Sequence, residues 1–266
     1  MSSFVGTVQS RGYELDARKR VTPGAFARWF EHARWEAIHA HALGLRELFR
    51  DERRLVIRAQ RLALDAALGP HEVLSLALSI THVGRSSIRM AQSARLGDTL
   101  IARCEAVAVV LDADGRPTRV PEAVRAHVGD PAPAPLDALG PPSATPAYEC
   151  DVYVRPSDLD TLQHVNQSRY VDFADDVLQH ALAAGAFGPS APMRPVAITV
   201  EYQRETRLDP ARGPDTRLRA QVFPEGAGGY GVALRDPLSE ALVARSTIVV
   251  AHENDEAAGA ALDAGL

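Results

Sequence analysis

The chain has 266 residues, 46% of them hydrophobic, a formal charge of −5 and a pI near 6.0. That length fills one large domain or two of ordinary size, and the acidic balance argues against a nucleic-acid partner, whose phosphates require a basic surface. Cys104 and Cys150 are isolated and no apolar run approaches the roughly 20 residues of a membrane span, so a disulfide framework, a metal site, export and membrane insertion are unexpected, and reducing cytoplasm fits best.

Segment 4–15 is short and mixed, and reads as a strand with Tyr13 and Leu15 on one face. Thr22 then caps a helix whose first position is Pro23, where a missing N–H costs nothing. Phe26, Phe30, Ala33 and Ala37 form one stripe along it, widened by Trp29 and Ile38, the pattern of a buried helix. Segment 46–54 is a charged loop. Leu74, Leu76, Leu78 and Ile80 alternate with Ser75, Ala77, Ser79 and Thr81, a strand with one buried face. Segments 87–96 and 99–111 read likewise, joined by the turn dipeptide Gly97-Asp98, and residues 112–115 close the last long strand with turn chemistry.

Residues 129–147 are dense in Pro and Ala, a composition that stays extended and makes a linker. After them 148–154 is a strand, and the order of helix then alternating strands begins again. Asn166 is a credible N-cap for a helix carrying Tyr170, Ala174, Val177, Leu178 and Ala181 at helical spacing. Ile198, Val200 and Tyr202 share one strand face, and 218–223 is another strand. The Gly-rich segment 225–231 lies between strands and not before a helix, so it reads as a hairpin turn and not a phosphate loop. Leu242, Ala244, Ser246, Ile248 and Val250 alternate on the last strand, and the tail 253–266 should fray.

The recurrence can be matched residue by residue. Leu64-Asp65 with Gly69-Pro70 matches Leu208-Asp209 with Gly213-Pro214, residues 100–103 match 242–245, and Arg28-Trp29 matches Arg169-Tyr170. The separations are 144 (208 minus 64), 142 (242 minus 100) and 141 (169 minus 28), which marks an internal repeat. The expected division is a first domain at 1–128, a linker at 129–147, a second domain at 148–252 and a flexible tail at 253–266. At the helix offset Lys19 and Pro23 match Asp160 and His164, and at the strand offset Arg61 matches Glu205. The first copy is therefore expected to keep the packing and lack the chemistry.

Chemistry concentrates in RPSDLDTLQHVNQSRYVDFADD, residues 155–176. Asp158, Asp160 and His164 fall between an apolar run and a helix start, whose unpaired N–H groups and dipole suit a carbonyl oxygen acquiring negative charge. The run DLDTLQHVNQSRYVDF resembles the signature of the hotdog-fold acyl thioesterases, most closely the fatty acyl-ACP thioesterase branch, which reads D-L-D-x-N-x-H-V-N-N before an aromatic-rich helix. EYQRET, residues 201–206, resembles that branch's E-Y-R-R-E-C. The resemblance implies an α+β fold of two tandem hotdog domains, each an antiparallel β-sheet wrapped around a long α-helix, with sites formed between hotdog units. It also implies functional positions at Asp160, His164 and Glu205. Leu162 stands where the family has Asn and Thr206 where it has Cys; with Asn166 they are expected to meet substrate.

Hydrolysis of a thioester needs a base for water or a carboxylate nucleophile, and donors for the oxyanion. Asp160 could be base or nucleophile. His164 could orient the water, or act as base with Asp160 setting its tautomer, and Glu205 could share that role. Against this stands a plain structural use of Asp158 and Asp160, binding loop N–H groups. The expectation is a thioesterase acting on a fatty acyl or related acyl thioester of coenzyme A or acyl carrier protein, with no cofactor or metal, and able to assemble as a homo-oligomer of tandem hotdogs. Arg155, Arg169, Arg204 and Arg207 could meet the carrier's phosphates or acidic surface. The alternatives are a non-catalytic acyl-thioester binder and a hotdog hydratase or dehydratase; for the latter, no Pro follows Asp160 as its motif requires.

Overall fold

The computed structural model describes residues 2–129, 136, 138–142, 145–188, 192–208, 216–226 and 228–252. Much of the expected linker, the tail 253–266 and the repeat positions Asp209, Gly213 and Pro214 lie outside the described residues. The chain divides into two compact units, within Met1–Leu136 and Asp137–Leu262.

Unit 1 runs β1 (Ser3–Gln9), α1 (Pro23–His39), β2 (Arg54–Leu64), β3 (Val73–Val83), β4 (Ser87–Leu96), β5 (Thr99–Leu111) and a one-turn α2 (Glu122–Arg125). Its strands lie in the order β1-β3-β4-β5-β2, every pair antiparallel. Helix α1 packs against that sheet. It starts where the sequence dictates: the Thr22 hydroxyl accepts the Ala25 N–H at 3.3 Å, and Pro23 occupies the first position. Phe26, Trp29, Phe30, Ala33, Ala37 and Ile38 are all buried. Facing them, Leu74, Leu76, Leu78 and Ile80 of β3 are fully enclosed while their serine, alanine and threonine neighbours point away. Each such leucine contributes about 1.5–3 kcal/mol of transfer free energy.

Two expectations in this unit are corrected. Strand β1 ends at Gln9, and Gly12–Glu14 forms a 3-10 turn that leaves Tyr13 81% exposed. The reason is polar: Arg11 N–H and Arg11 Nη1 both reach the Glu14 carboxylate, and that carboxylate also accepts the Trp29 indole N–H at 2.9 Å. The charged segment 46–54 is partly a 3-10 segment, Ala42–Phe49, that buries Leu43, Leu45 and Leu48. Strand β2, which follows it, has no clean alternation because the pairing with β5 shifts between Ile57 and Ala59.

Unit 2 runs β6 (Tyr148–Tyr153), α3 (Arg169–Ala183), β7 (Met193–Tyr202), β8 (Arg217–Pro224), β9 (Gly229–Arg235) and β10 (Leu242–His252). The strand order is β6-β8-β9-β10-β7, again antiparallel throughout, and α3 packs on it. With β6 for β1 and β7 for β2, this is the topology of unit 1. The segment with Gly226, Gly228 and Gly229 is the β8–β9 hairpin turn.

Backbone hydrogen bonds fix the residue equivalence between the units, and it differs from the offsets read in the sequence. The bridge Leu15–Val21 recurs as Leu159–Val165, and the bond Asp16 N–H to Arg20 carbonyl recurs as Asp160 to His164, a separation of 144 (160 minus 16). Val21 N–H donates to Leu68, and Val165 N–H to Thr206, a separation of 138 (206 minus 68). Asp160 is therefore matched by Asp16 and not Lys19, His164 by Arg20 and not Pro23, and Glu205 by Ala67 and not Arg61. The change of offset reflects chain length: unit 1 takes 47 residues from Val21 to Leu68 (68 minus 21), unit 2 takes 41 from Val165 to Thr206 (206 minus 165). Unit 1 carries the 3-10 segment Ala42–Phe49 in that interval, whereas no such segment follows α3 among the described residues.

Candidate active site

After β6 the chain makes a 3-10 turn, Pro156–Asp158, closed by the Asp158 carboxylate. That carboxylate is 0% exposed, accepts Arg155 N–H at 2.8 Å and Arg155 Nε at 3.3 Å, and has Arg169 Nε at 3.6 Å. Asp158 is thus an internal anchor. The loop beyond it folds back as a tight turn between the bridged residues Leu159 and Val165. Asp160 N–H donates to the His164 carbonyl at 2.8 Å, and Asp160 Oδ1 accepts the N–H groups of Leu162 at 2.8 Å and His164 at 3.2 Å. Gln163 completes the turn with φ 62, the left-handed conformation found at Lys19 of unit 1 with φ 63. Asp16 Oδ1 makes the same pair of bonds, to the N–H groups of Arg18 and Arg20. One use of Asp160 is accordingly to shape the loop.

The imidazole of His164 is buried, and its Nε2 lies 3.0 Å from Glu205 Oε2. The approach lies off the line of a hydrogen bond, so Nε2 has a charged neighbour and no aligned acceptor. Glu205 reaches this position because the next residue is tied to the loop: the Thr206 carbonyl accepts Val165 N–H at 2.8 Å. The Glu205 side chain is 51% exposed and has Arg207 Nη2 at 3.7 Å. The acid beside the His164 ring is therefore Glu205, whereas Asp160 meets the His164 backbone N–H.

Tyr170, which the sequence presents as a core position of the helix, belongs to the site as well. Burial pushes its phenol up to about 12, opposed by the hydroxyl and backbone of Thr206, while the carboxylates of Glu205 and Asp160 push the same way as burial. Its ring meets that of Tyr202 edge-on, centroids 5.5 Å apart, and the Tyr202 hydroxyl donates to the Gln167 carbonyl at 2.9 Å. At the equivalent positions unit 1 has Phe26 and Leu68 in place of Tyr170 and Thr206. A polar pair replaces an apolar one only in the unit that also carries His164 and Glu205. That substitution, visible once the units are aligned on backbone bonds, is the signal that could have found Tyr170.

The remaining positions divide. Asn166 is not the N-cap of the regular helix, which is Ser168; it caps the turn before, its Oδ1 accepting Ser168 N–H at 2.8 Å and Ser168 Oγ at 2.6 Å. Its carbonyl accepts Arg169 N–H at 2.9 Å. Two of the N–H groups expected to face an oxyanion are thus already bonded to Asn166. Leu162 is 56% exposed at the tip of the loop, and Thr206 is buried. Arg155 and Arg169 pair with Asp158, Arg169 also with Asp172 at 3.2 Å, and Arg207 with Glu205. Among the described residues no group of three His, Cys, Asp or Glu side chains is arranged to hold a metal ion, and no helix is long and apolar enough to cross a membrane.

Residues 11–128 match the thioesterase-like superfamily, and residues 144–211 match the acyl-ACP thioesterase C-terminal domain. No curated protein matches the chain by sequence. Among solved structures, an acyl-ACP thioesterase from Bacteroides thetaiotaomicron superposes with a TM-score of 0.74 at 17% identity, over 94% of this chain and 98% of its own. A 12:0-ACP thioesterase from Umbellularia californica gives 0.72 at 19% identity, over 94% and 97%. A putative oleoyl thioesterase from Lactobacillus plantarum gives 0.74 at 18% identity, over 94% and 96%. At such identities the likeness speaks to the fold.

Proposed function

From the premise that this chain belongs to the hotdog-fold acyl thioesterases, we propose that it hydrolyses a fatty acyl or related acyl thioester, with acyl carrier protein as the carrier and coenzyme A as a second possible one. The observation that supports the site is the 3.0 Å approach of His164 Nε2 to Glu205 Oε2 on the matched motif. In this reading the His164–Glu205 pair takes a proton from water, and the water oxygen bonds to the thioester carbonyl carbon. The imidazolium so formed, stabilised by Glu205, stands near the developing oxyanion. When the C–S bond breaks, the sulfur leaves with its electron pair and takes the proton, giving a carboxylic acid and a free thiol. Asp160 holds the loop that presents His164 and adds its own charge. Leu162, exposed on the loop, and the buried Thr206 and Tyr170 would meet the acyl group. We take the second domain, 148–252, as the chemical one and the first, 1–128, as its partner, in a cytoplasmic protein able to associate further.

The test is release of free thiol from a panel of acyl-ACP and acyl-CoA substrates by the parent, Asp160→Asn and Asp16→Asn. Asn keeps an oxygen for the loop N–H groups, so both variants should fold. If the charge of Asp160 serves catalysis, only Asp160→Asn should lose activity, by on the order of 10²- to 10⁴-fold. Equal, small effects of the two changes would confine Asp160 to loop shaping. A parent that binds acyl thioesters and releases no thiol would overturn hydrolysis in favour of binding alone.

A further inference from the structure

Unit 1 contains a cavity of about 790 Å³ at the β3–β4 turn, lined chiefly by His82, Gly84, Arg85, Thr118, Arg119 and Arg125, all remote in sequence from the loop described above. Its size is that of small-molecule sites, which run to roughly 300–1,000 Å³. Its lining is cationic. Arg85 and Arg119 are exposed, whereas Arg125 is locked down: Nη1 donates to the Val83 carbonyl at 3.4 Å and Nη2 to the Gly84 carbonyl. Those bonds leave Arg125 Nε buried without an acceptor, and the nearby Glu122 carboxylate, 3.9 Å away and mostly in solvent, is out of hydrogen-bond reach. The cavity lining therefore carries three guanidinium charges with one solvent-screened carboxylate beside them, and an anion entering it would balance that charge.

We propose that this cavity binds a small phosphate-bearing anion of the pyrophosphate or nucleotide-phosphate class. The two exposed guanidinium groups, Arg85 and Arg119, offer forked donors suited to phosphate oxygens, the fixed Arg125 adds its positive charge, the Thr118 hydroxyl adds a donor, and a diphosphate brings enough charge and acceptors to engage several of them together. A lone carboxylate would leave most of these donors in water. Both free pyrophosphate and the nucleotide end of a coenzyme A thioester carry this chemistry. The site stands on unit 1's own residues, independently of any hydrolytic activity.

Calorimetric titration of the full chain with inorganic pyrophosphate, coenzyme A and 3′-dephospho-coenzyme A tests it, with Arg85→Ala/Arg119→Ala as the comparison. Both arginines are exposed, so the double variant should keep the parent circular-dichroism spectrum and melting temperature. Saturable pyrophosphate binding that weakens at least 10-fold in the double variant is the expected result, and it should weaken further with added salt. Coenzyme A binding more tightly than pyrophosphate, with the same loss in the double variant, would identify the nucleotide as the source; equal affinities would identify the bare diphosphate. No saturable binding of any of the three probes to the folded parent, or affinities unchanged in the double variant, would overturn the proposal.

Discussion

At the scale of single residues, the two carboxylates of the loop next to Arg155 do different work, although the sequence offers them as near equivalents. Asp158 is enclosed and held by the Arg155 N–H and guanidinium. Removing it as Asp158→Ala leaves a buried N–H without its acceptor and is expected to cost roughly 2–4 kcal/mol, read as a fall in the midpoint of urea unfolding. It is therefore a poor neutral control for Asp160; Asp16, which makes the same loop bonds where His164 and Glu205 are replaced by Arg20 and Ala67, is a better one. Glu205 presents the opposite case. Half of it faces solvent, so Glu205→Gln should shift stability by no more than about 0.5 kcal/mol. If it serves the imidazole, kcat should fall by on the order of 10²-fold or more with little change in KM. Parent-like turnover in Glu205→Gln would remove it from the chemistry. Of this candidate site, the meeting of His164 with Glu205 was legible because the order and spacing of the two motifs are specific. Tyr170 was not, because an aromatic at helical spacing looks the same whether it packs against a leucine or beside a threonine.

At the scale of elements, the long helices and the strands with one solvent-facing side were readable, since burial on one face leaves a period in the sequence. Strand β2 escaped because its bulge breaks that period, and β1 was overextended because the turn after it is held by Glu14, a polar cause with no apolar pattern. The elements also carry buried acids whose neutral forms the fold prefers. Burial lifts the Cys104 thiol of β5 from its ordinary 9.0 to about 12, with Arg34 pulling the other way, and burial lifts Tyr170 of α3 from 10.0 to about 12. Both groups are neutral in folded and unfolded chains below pH 9, so stability there is unaffected by them. Above pH 9 for the thiol and pH 10 for the phenol, the unfolded chain loses protons that the folded chain retains, and stability falls until the folded groups ionise near 12. For Tyr170 the fall amounts to roughly 2–3 kcal/mol over the two pH units. Urea unfolding at pH 8, 10 and 11 should show the decline, and Tyr170→Phe should flatten its upper part. An unfolding free energy independent of pH across this range would contradict the assignment.

At the scale of the whole molecule, the chain is one topology written twice with unequal side chains. The repetition was legible in the recurring order of helix and alternating strands and in the match of residues 100–103 with 242–245, but two other matched words were coincidences. Backbone bonds pair Tyr170 with Phe26 and not Trp29, and Gln203, not Asp209, with Asp65, because the interval from Val21 to Leu68 is longer than that from Val165 to Thr206 and no fixed offset fits both ends. Only the ladder of backbone bonds distinguishes a counterpart from a coincidence of letters. The clearest counterpart is the pair Asp16 and Asp160, each gathering the N–H groups two and four residues ahead beneath a left-handed Lys19 or Gln163. Unit 1 has Arg20 where unit 2 has an imidazole, yet it keeps the aspartate, without which its own backbone turn would loosen. Against the proposed site of unit 2, unit 1 keeps the loop backbone and differs at four side chains, Arg20, Ala67, Phe26 and Leu68, of which the first two replace the imidazole and the carboxylate. Arg20→His with Ala67→Glu should set an imidazole and a carboxylate at positions whose backbone is already formed. In an Asp160→Asn background, recovery of thiol release by that double change would show a latent site returning to use, while a folded variant with no recovery would show that the apolar pair Phe26 and Leu68 had closed that route.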